Sequence, residues 1–243
     1  EVWTLTKEKL QSDPNLTVRG LIEQSNVAFI GTTDDPIDSL EWHEKIAADP
    51  TIHFQVCPSF RPDKAINIGK PGFAAYMEKL AASVGKNTLA TVSEVCDALT
   101  ERLQFFADHG CRASDHGLDY IPFRPVSEAE ADDALAKVMC GETLTTEEVE
   151  GYQTALLLHL GREYHKRGIV MQIHYSCLRG VNEGMNEKLG PDTGFDMIAQ
   201  NTCGGDIAKL LSALSGEGAC PKTILYSLNP ADNQQLDTML GCF

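Results

Sequence analysis

Short runs of apolar, largely β-branched residues recur at 27–31, 52–57, 169–174 and 223–228, and each gives way to polar or turn-forming residues. Such runs, bounded by turn chemistry, predict buried strands. A weaker fifth strand is predicted at 109–114, directly after an amphipathic stretch at 92–107. Between the runs the apolar positions shift to helical spacing. Helices are predicted at 39–48 with Asp38 as cap, at 63–84 with a break at Pro71-Gly72, at 127–140 and at 146–167. Thr145 followed by Glu147 and Glu148 forms a capped start, and Leu156, Leu157, Leu158 and Leu160 point that last helix at a core. Residues 212–221 read as a turn before the final strand. Strand and helix alternate without repeat or linker, which predicts an α/β fold with a parallel sheet and a single domain over 1–243.

Parallel α/β proteins build their sites at the carboxyl ends of strands, so the polar residues there have first claim on function. Arg61 lies between Pro58 and Pro62, on backbone stiff enough to aim a guanidinium at a carboxylate, the alternative being a salt bridge to Asp63. Asp115 and His116 are adjacent on a strand, where neighbours point to opposite faces, so one of the two faces the site and the other anchors the turn. His174 closes the most apolar strand and is a candidate for proton transfer, against the alternative of a histidine bonded within the core. Arg179, five residues on, is a candidate anion clamp or an exposed loop residue. Asp34 and Asp35 precede Pro36 as helix-capping candidates. Cys203-Gly204-Gly205-Asp206 precedes a helix and is a weak phosphate-binding candidate. A GxGxxG fingerprint, a P-loop and a nucleophile elbow are all absent.

A formal charge of −15 argues against nucleic acid and anionic membrane as partners, since both repel the chain. The eight cysteines are dispersed without a CxxC pair, which argues against structural zinc and reads as reduced thiols, mostly in the core. The sequence contains no apolar run of membrane-spanning length and no signal-peptide pattern, so a cytoplasmic location is expected.

Taken in order, the strand ends resemble the uronate isomerases, metal-associated members of the amidohydrolase superfamily. The segments are Gly31-Thr32-Thr33-Asp34-Asp35-Pro36-Ile37-Asp38, Phe60-Arg61-Pro62-Asp63-Lys64-Ala65, the stretch 110–118, Met171-Gln172-Ile173-His174, 189–196 and 224–233. The resemblance implies a (β/α)8 TIM barrel, of which this chain carries about strands two to six with helical insertions. It also implies aldose–ketose isomerisation of hexuronates, D-glucuronate to D-fructuronate and D-galacturonate to D-tagaturonate, by proton transfer through an enediol. Arg61 matches the family's substrate-contacting arginine, and His116 and His174 would line the site.

The family's His-x-His pair, the His-Tyr pair after it and the aspartate and arginine of the last strand are missing. The resemblance therefore implies a central fragment, inactive alone, whose divalent metal, zinc by preference, takes its main ligands from outside this chain. Two open parallel edges would favour a homo-oligomer or another partner. The competing readings are a metal-dependent hydrolase of the same superfamily and a noncatalytic α/β binding module.

Overall fold

The computed structural model describes residues 1–200 and 204–243. Cys203, and with it part of the phosphate-binding candidate, lies outside the described residues. The chain opens with α1 (Val2–Ser12) and α2 (Val18–Gln24), neither of which buries a residue. It continues through β1 (Phe29–Gly31), α3 (Glu41–Ala47), β2 (Gln55–Cys57), α4 (Asp63–Ile66), α5 (Phe73–Ser83) and α6 (Val92–Asp108). Then follow β3 (Ala113–Gly117), α7 (Glu128–Met139), α8 (Thr146–Arg167) and β4 (Val170–Tyr175). An excursion of β5 (Cys177–Leu178), α9 (Glu183–Leu189) and β6 (Met197–Ile198) precedes α10 (Gly204–Gly216), β7 (Thr223–Ser227) and α11 (Asn233–Leu240).

The predicted strands are all present and all parallel. β1 pairs with β2, and β3, β4 and β7 form a second ladder in that order. Pro58 and Pro62 have no N–H to donate, and the regular pairing of β2 stops at Cys57. Phe60 nevertheless bridges to both Asp34 and Ser114, with its N–H on the Ala113 carbonyl at 3.1 Å and its own carbonyl accepting from Asp115 N–H at 2.9 Å. The two ladders are thereby linked through one residue, and the strands neighbour one another in chain order. Phe60 is fully buried and meets Phe106 of α6 edge-on, ring centroids 5.1 Å apart.

Side chains alternate across this arc. Ser114 and His116 of β3, with Met171, Ile173 and Tyr175 of β4, are buried in the helix-covered interior. There α6 contributes Leu99, Leu103 and Phe106, and α8 contributes Leu156, Leu157, Leu160 and Tyr164. Asp115, Gln172, His174 and Tyr226 occupy the other face. Burying one large apolar side chain is worth about 1.5–3 kcal/mol, so the helices supply the cohesion and leave the opposite face free for polar groups.

Several boundaries differ from the sequence reading. The third strand begins at Ala113 rather than 109, because α6 runs to Asp108, His109 caps it and Gly110 turns the chain at φ 87°. Asp38 does not cap α3; the N-cap is Leu40, at φ 57° and without a side-chain bond, while Asp38 closes a turn with Asp35. Asp34 and Asp35 cap no helix either. Asp34 accepts from Thr32, and Asp35 accepts from the Tyr76 hydroxyl. Residues 212–216 are the last turns of α10 rather than loop. The capping boxes at Ser127 and Thr145 form in full. Among the described residues the cysteines are unpaired: three are buried, two intermediate and two exposed, a more even spread than a core role predicts. No described helix is long and apolar enough to cross a membrane.

Candidate functional site

The polar face of the arc converges on Asp115. Its position on β3 places it opposite Gln172, with Gly117 opposite His174. His174 Nε2 lies 3.1 Å from Asp115 Oδ1. The Thr33 hydroxyl donates to Oδ2 at 2.9 Å, and Arg61 Nη1 reaches the same oxygen at 3.4 Å. One carboxylate thus holds an imidazole on one side and a guanidinium on the other. The His174 ring is half-exposed and stacks on Tyr226, centroids 4.5 Å apart and planes 10° apart. The Tyr226 hydroxyl in turn donates to Gln172 at 2.9 Å. Stacking on Tyr226 and the approach of Nε2 to Asp115 together hold the ring at the edge of the polar face.

Two cavities meet at this cluster. One, of about 360 Å³, is lined by Thr33, Arg112, Asp115, Gln172 and His174 among others. The other, of about 520 Å³, lies at the carboxyl ends of the strands and is lined by Arg61, Lys64, Lys70, Gly117 and Arg179, together with Asp119, Asp192 and Asp196. Arg61 lines the second and reaches Asp115, which lines the first.

Burial works against the Arg61 charge, but Asp63 and Asp115 outweigh it and strengthen the cation. Arg179, on the excursion after β5, donates to Asp196 at 2.7 Å and lies 3.3 Å from Asp192. The Asp196 hydrogen bond raises its pKa, and Asp196 itself is held low by the Gly180 N–H and by Arg179. The chain therefore brings the two candidate arginines to the wall of one cavity.

His116 is placed differently from the sequence expectation. It is fully buried on the helix side, with Nε2 3.1 Å from the Tyr164 hydroxyl and Nδ1 3.6 Å from Asp63 Oδ1. Asp115 faces the site in its stead, because pairing with β4 and packing against α8 put His116 on the helix-covered face and its strand neighbour on the other. The salt bridge from Arg61 to Asp63, the alternative the sequence offers for Arg61, is present. Asp63 accepts from Arg61 Nε and from Gly117 N–H, both at 2.8 Å. Burial pushes the Asp63 carboxyl up, but His116, Arg61 and the Gly117 N–H hold it below the ordinary carboxylate range. The i, i+2 spacing of Asp115 and Gly117 is the sequence signal that could have identified the site face.

Among the described residues no three His, Cys, Asp or Glu side chains converge as a metal-holding group. His174 and Asp115 are in direct contact with each other rather than spaced around a cation, so this cluster does not fit a metal centre by itself.

The sequence model of the glucuronate isomerase family matches residues 1–243. Uronate isomerases of Lachnospira eligens and Lachnoclostridium phytofermentans are each 46% identical over 243 residues, covering 100% of this chain and 52% of the relative. The chain spans about half the length of the curated relatives it matches. The crystal structure of a uronate isomerase from Thermotoga maritima superposes with a TM-score of 0.92 at 31% identity, over 100% of this chain and 52% of that one. A glucuronate isomerase from Caulobacter crescentus gives 0.81 at 26% identity, over 91% of this chain and 45% of that one.

Proposed function

Because the chain belongs to the glucuronate isomerase family, we propose that it contributes the carboxylate-binding and proton-relay side of an active site that interconverts aldose and ketose hexuronates. The substrates in this reading are D-glucuronate and D-galacturonate, and the products D-fructuronate and D-tagaturonate. The reaction breaks the C2–H bond and forms a C1–H bond. Through the enediol, the C1 carbonyl oxygen gains a proton and the C2 hydroxyl loses one. Such a site needs a fixed cation for the remote carboxylate and a group that carries protons near C1 and C2.

Arg61 supplies the cation, with Arg179 as a second one at the same cavity wall. His174, oriented by Asp115 and Tyr226, supplies a proton-carrying nitrogen. The observation that carries the reading is the contact of Asp115 with both His174 and Arg61, which ties proton transfer and anion binding to one rigid strand. His116 is too deeply buried to touch a ligand.

Five sequential parallel strands with their helices on one face support a partial (β/α)8 barrel, strands two to six. A divalent metal, zinc by preference, would draw on ligands beyond the described cluster. The isolated chain is then inactive. The open strand edges favour a homo-oligomer, and the metabolic role fits a cytoplasmic location.

Ketose formation from D-glucuronate by the complete gene product tests the assignment. Arg61→Met is expected to raise KM by about a hundredfold, the equivalent of ~2.7 kcal/mol, within the range for removing one partner of a charged contact. An unchanged KM overturns it, and turnover by the isolated chain overturns the claim of inactivity.

A further inference from the structure

Arg61 is not merely present at the cavity; its orientation is constrained from three directions. Nε is fixed on Asp63 Oδ2 at 2.8 Å and Nη1 approaches Asp115 at 3.4 Å. Nη2 lies over Gly117 so closely that a Cβ there would be 2.1 Å from it. Only glycine leaves room for the guanidinium at that point. The Gly117 N–H also donates to Asp63 Oδ2, so the backbone that makes room for Arg61 anchors the carboxylate that aims it. The other oxygen, Asp63 Oδ1, faces His116 Nδ1 at 3.6 Å, and His116 is locked from behind by the Tyr164 hydroxyl on α8.

From this we infer that Asp63 and Gly117 are positioning residues that aim Arg61 and thereby set the preference of the site for a hexuronate over the corresponding neutral sugar. The inference rests on the reading of Arg61 as the carboxylate clamp. A flexible arginine would lose conformational entropy on binding; one held in advance loses less, so the carboxylate gains affinity that an uncharged hydroxymethyl group does not. His116 Nδ1, at 3.6 Å, is beyond hydrogen-bond distance of the second oxygen of Asp63, so Asp63 and Gly117 carry the positioning.

Competitive inhibition of the complete gene product by a hexonate and by the matching hexitol reads this preference directly. Asp63→Asn keeps the shape of the side chain and removes its charge. Gly117→Ala obstructs the guanidinium and leaves Asp63 intact. Each is expected to lower the hexonate-over-hexitol ratio by at least about tenfold while the hexitol constant moves less than about twofold. A purely structural role would weaken both inhibitors together, and that result overturns the inference, as does an unchanged ratio in both variants. Should one variant fail to fold, the other decides. Arg61→Met separates the two layers of the argument. A ratio lost in Arg61→Met but kept in Asp63→Asn and Gly117→Ala overturns the positioning role alone, whereas a ratio kept in Arg61→Met overturns the clamp and the inference with it.

Discussion

His174 Nε2 and Asp115 Oδ1 stand 3.1 Å apart although they lie on different strands, brought together by the parallel register that sets Gly117 opposite His174. The same carboxylate holds Arg61, so its removal disturbs both the imidazole and the guanidinium. In the complete gene product, Asp115→Asn is expected to lower kcat/KM by about 10²-fold or more, in the range of general acid–base contributions, and to alter the pH–rate profile. Kinetics within twofold of the parent across pH 5–9, roughly the range in which imidazoles titrate, would remove Asp115 from the site.

Tyr226 holds the His174 ring by stacking, with centroids 4.5 Å apart. Tyr226→Leu removes the flat surface and the hydroxyl that reaches Gln172. A fall in kcat with KM nearly constant is expected, since the ring touches the proton-transfer group and not the anion clamp. A change confined to KM contradicts this division of labour.

The depressed pKa of Asp63 has a defined effect on stability. Its folded-state value lies below the ordinary 3.8, so its stabilising contribution is fully present above that pH and is lost as pH falls through the folded value. Urea unfolding of the parent and of Asp63→Asn should therefore differ most near neutral pH and converge in acid below about pH 3.8. An equal gap at pH 7 and pH 3 is incompatible with the shift.

Phe60 joins the two strand ladders and packs edge-on against Phe106. Phe60→Ala removes a fully buried ring and is expected to cost about 3–5 kcal/mol in chemical denaturation. A loss under about 1 kcal/mol, smaller than burial of one large apolar side chain supplies, shows that the link between the ladders does not depend on this side chain.

Thr145 caps the long helix α8 in a reciprocal box with Glu148. Thr145→Ala is expected to destabilise by about 0.5–2 kcal/mol without moving kcat, since the cap makes no contact with the site. A large kinetic effect would tie α8 to the chemistry more closely than Tyr164 alone does.

Periodicity in the sequence determined the alternation of strands and helices, the start of α8 at Thr146 and the start of α5 after Pro71-Gly72, because each follows from local chemistry: apolar spacing, a capping box, a proline–glycine pair; α4 ends earlier than the predicted break, at Ile66. The sequence also marked Arg61, His174 and Arg179 as polar residues at or beyond strand ends. It did not determine which of Asp115 and His116 faces the site. That choice is set by the pairing of β3 with β4 and by the helices packed on one face of the arc, neither of which is encoded within the strand itself. Nor does any local pattern contain the Asp115–His174 pair, the bond from Gly117 N–H to Asp63 or the space that Gly117 leaves for Arg61. These are meetings of residues far apart in the chain, and only close packing of the strand arc against its helices brings them within contact distance.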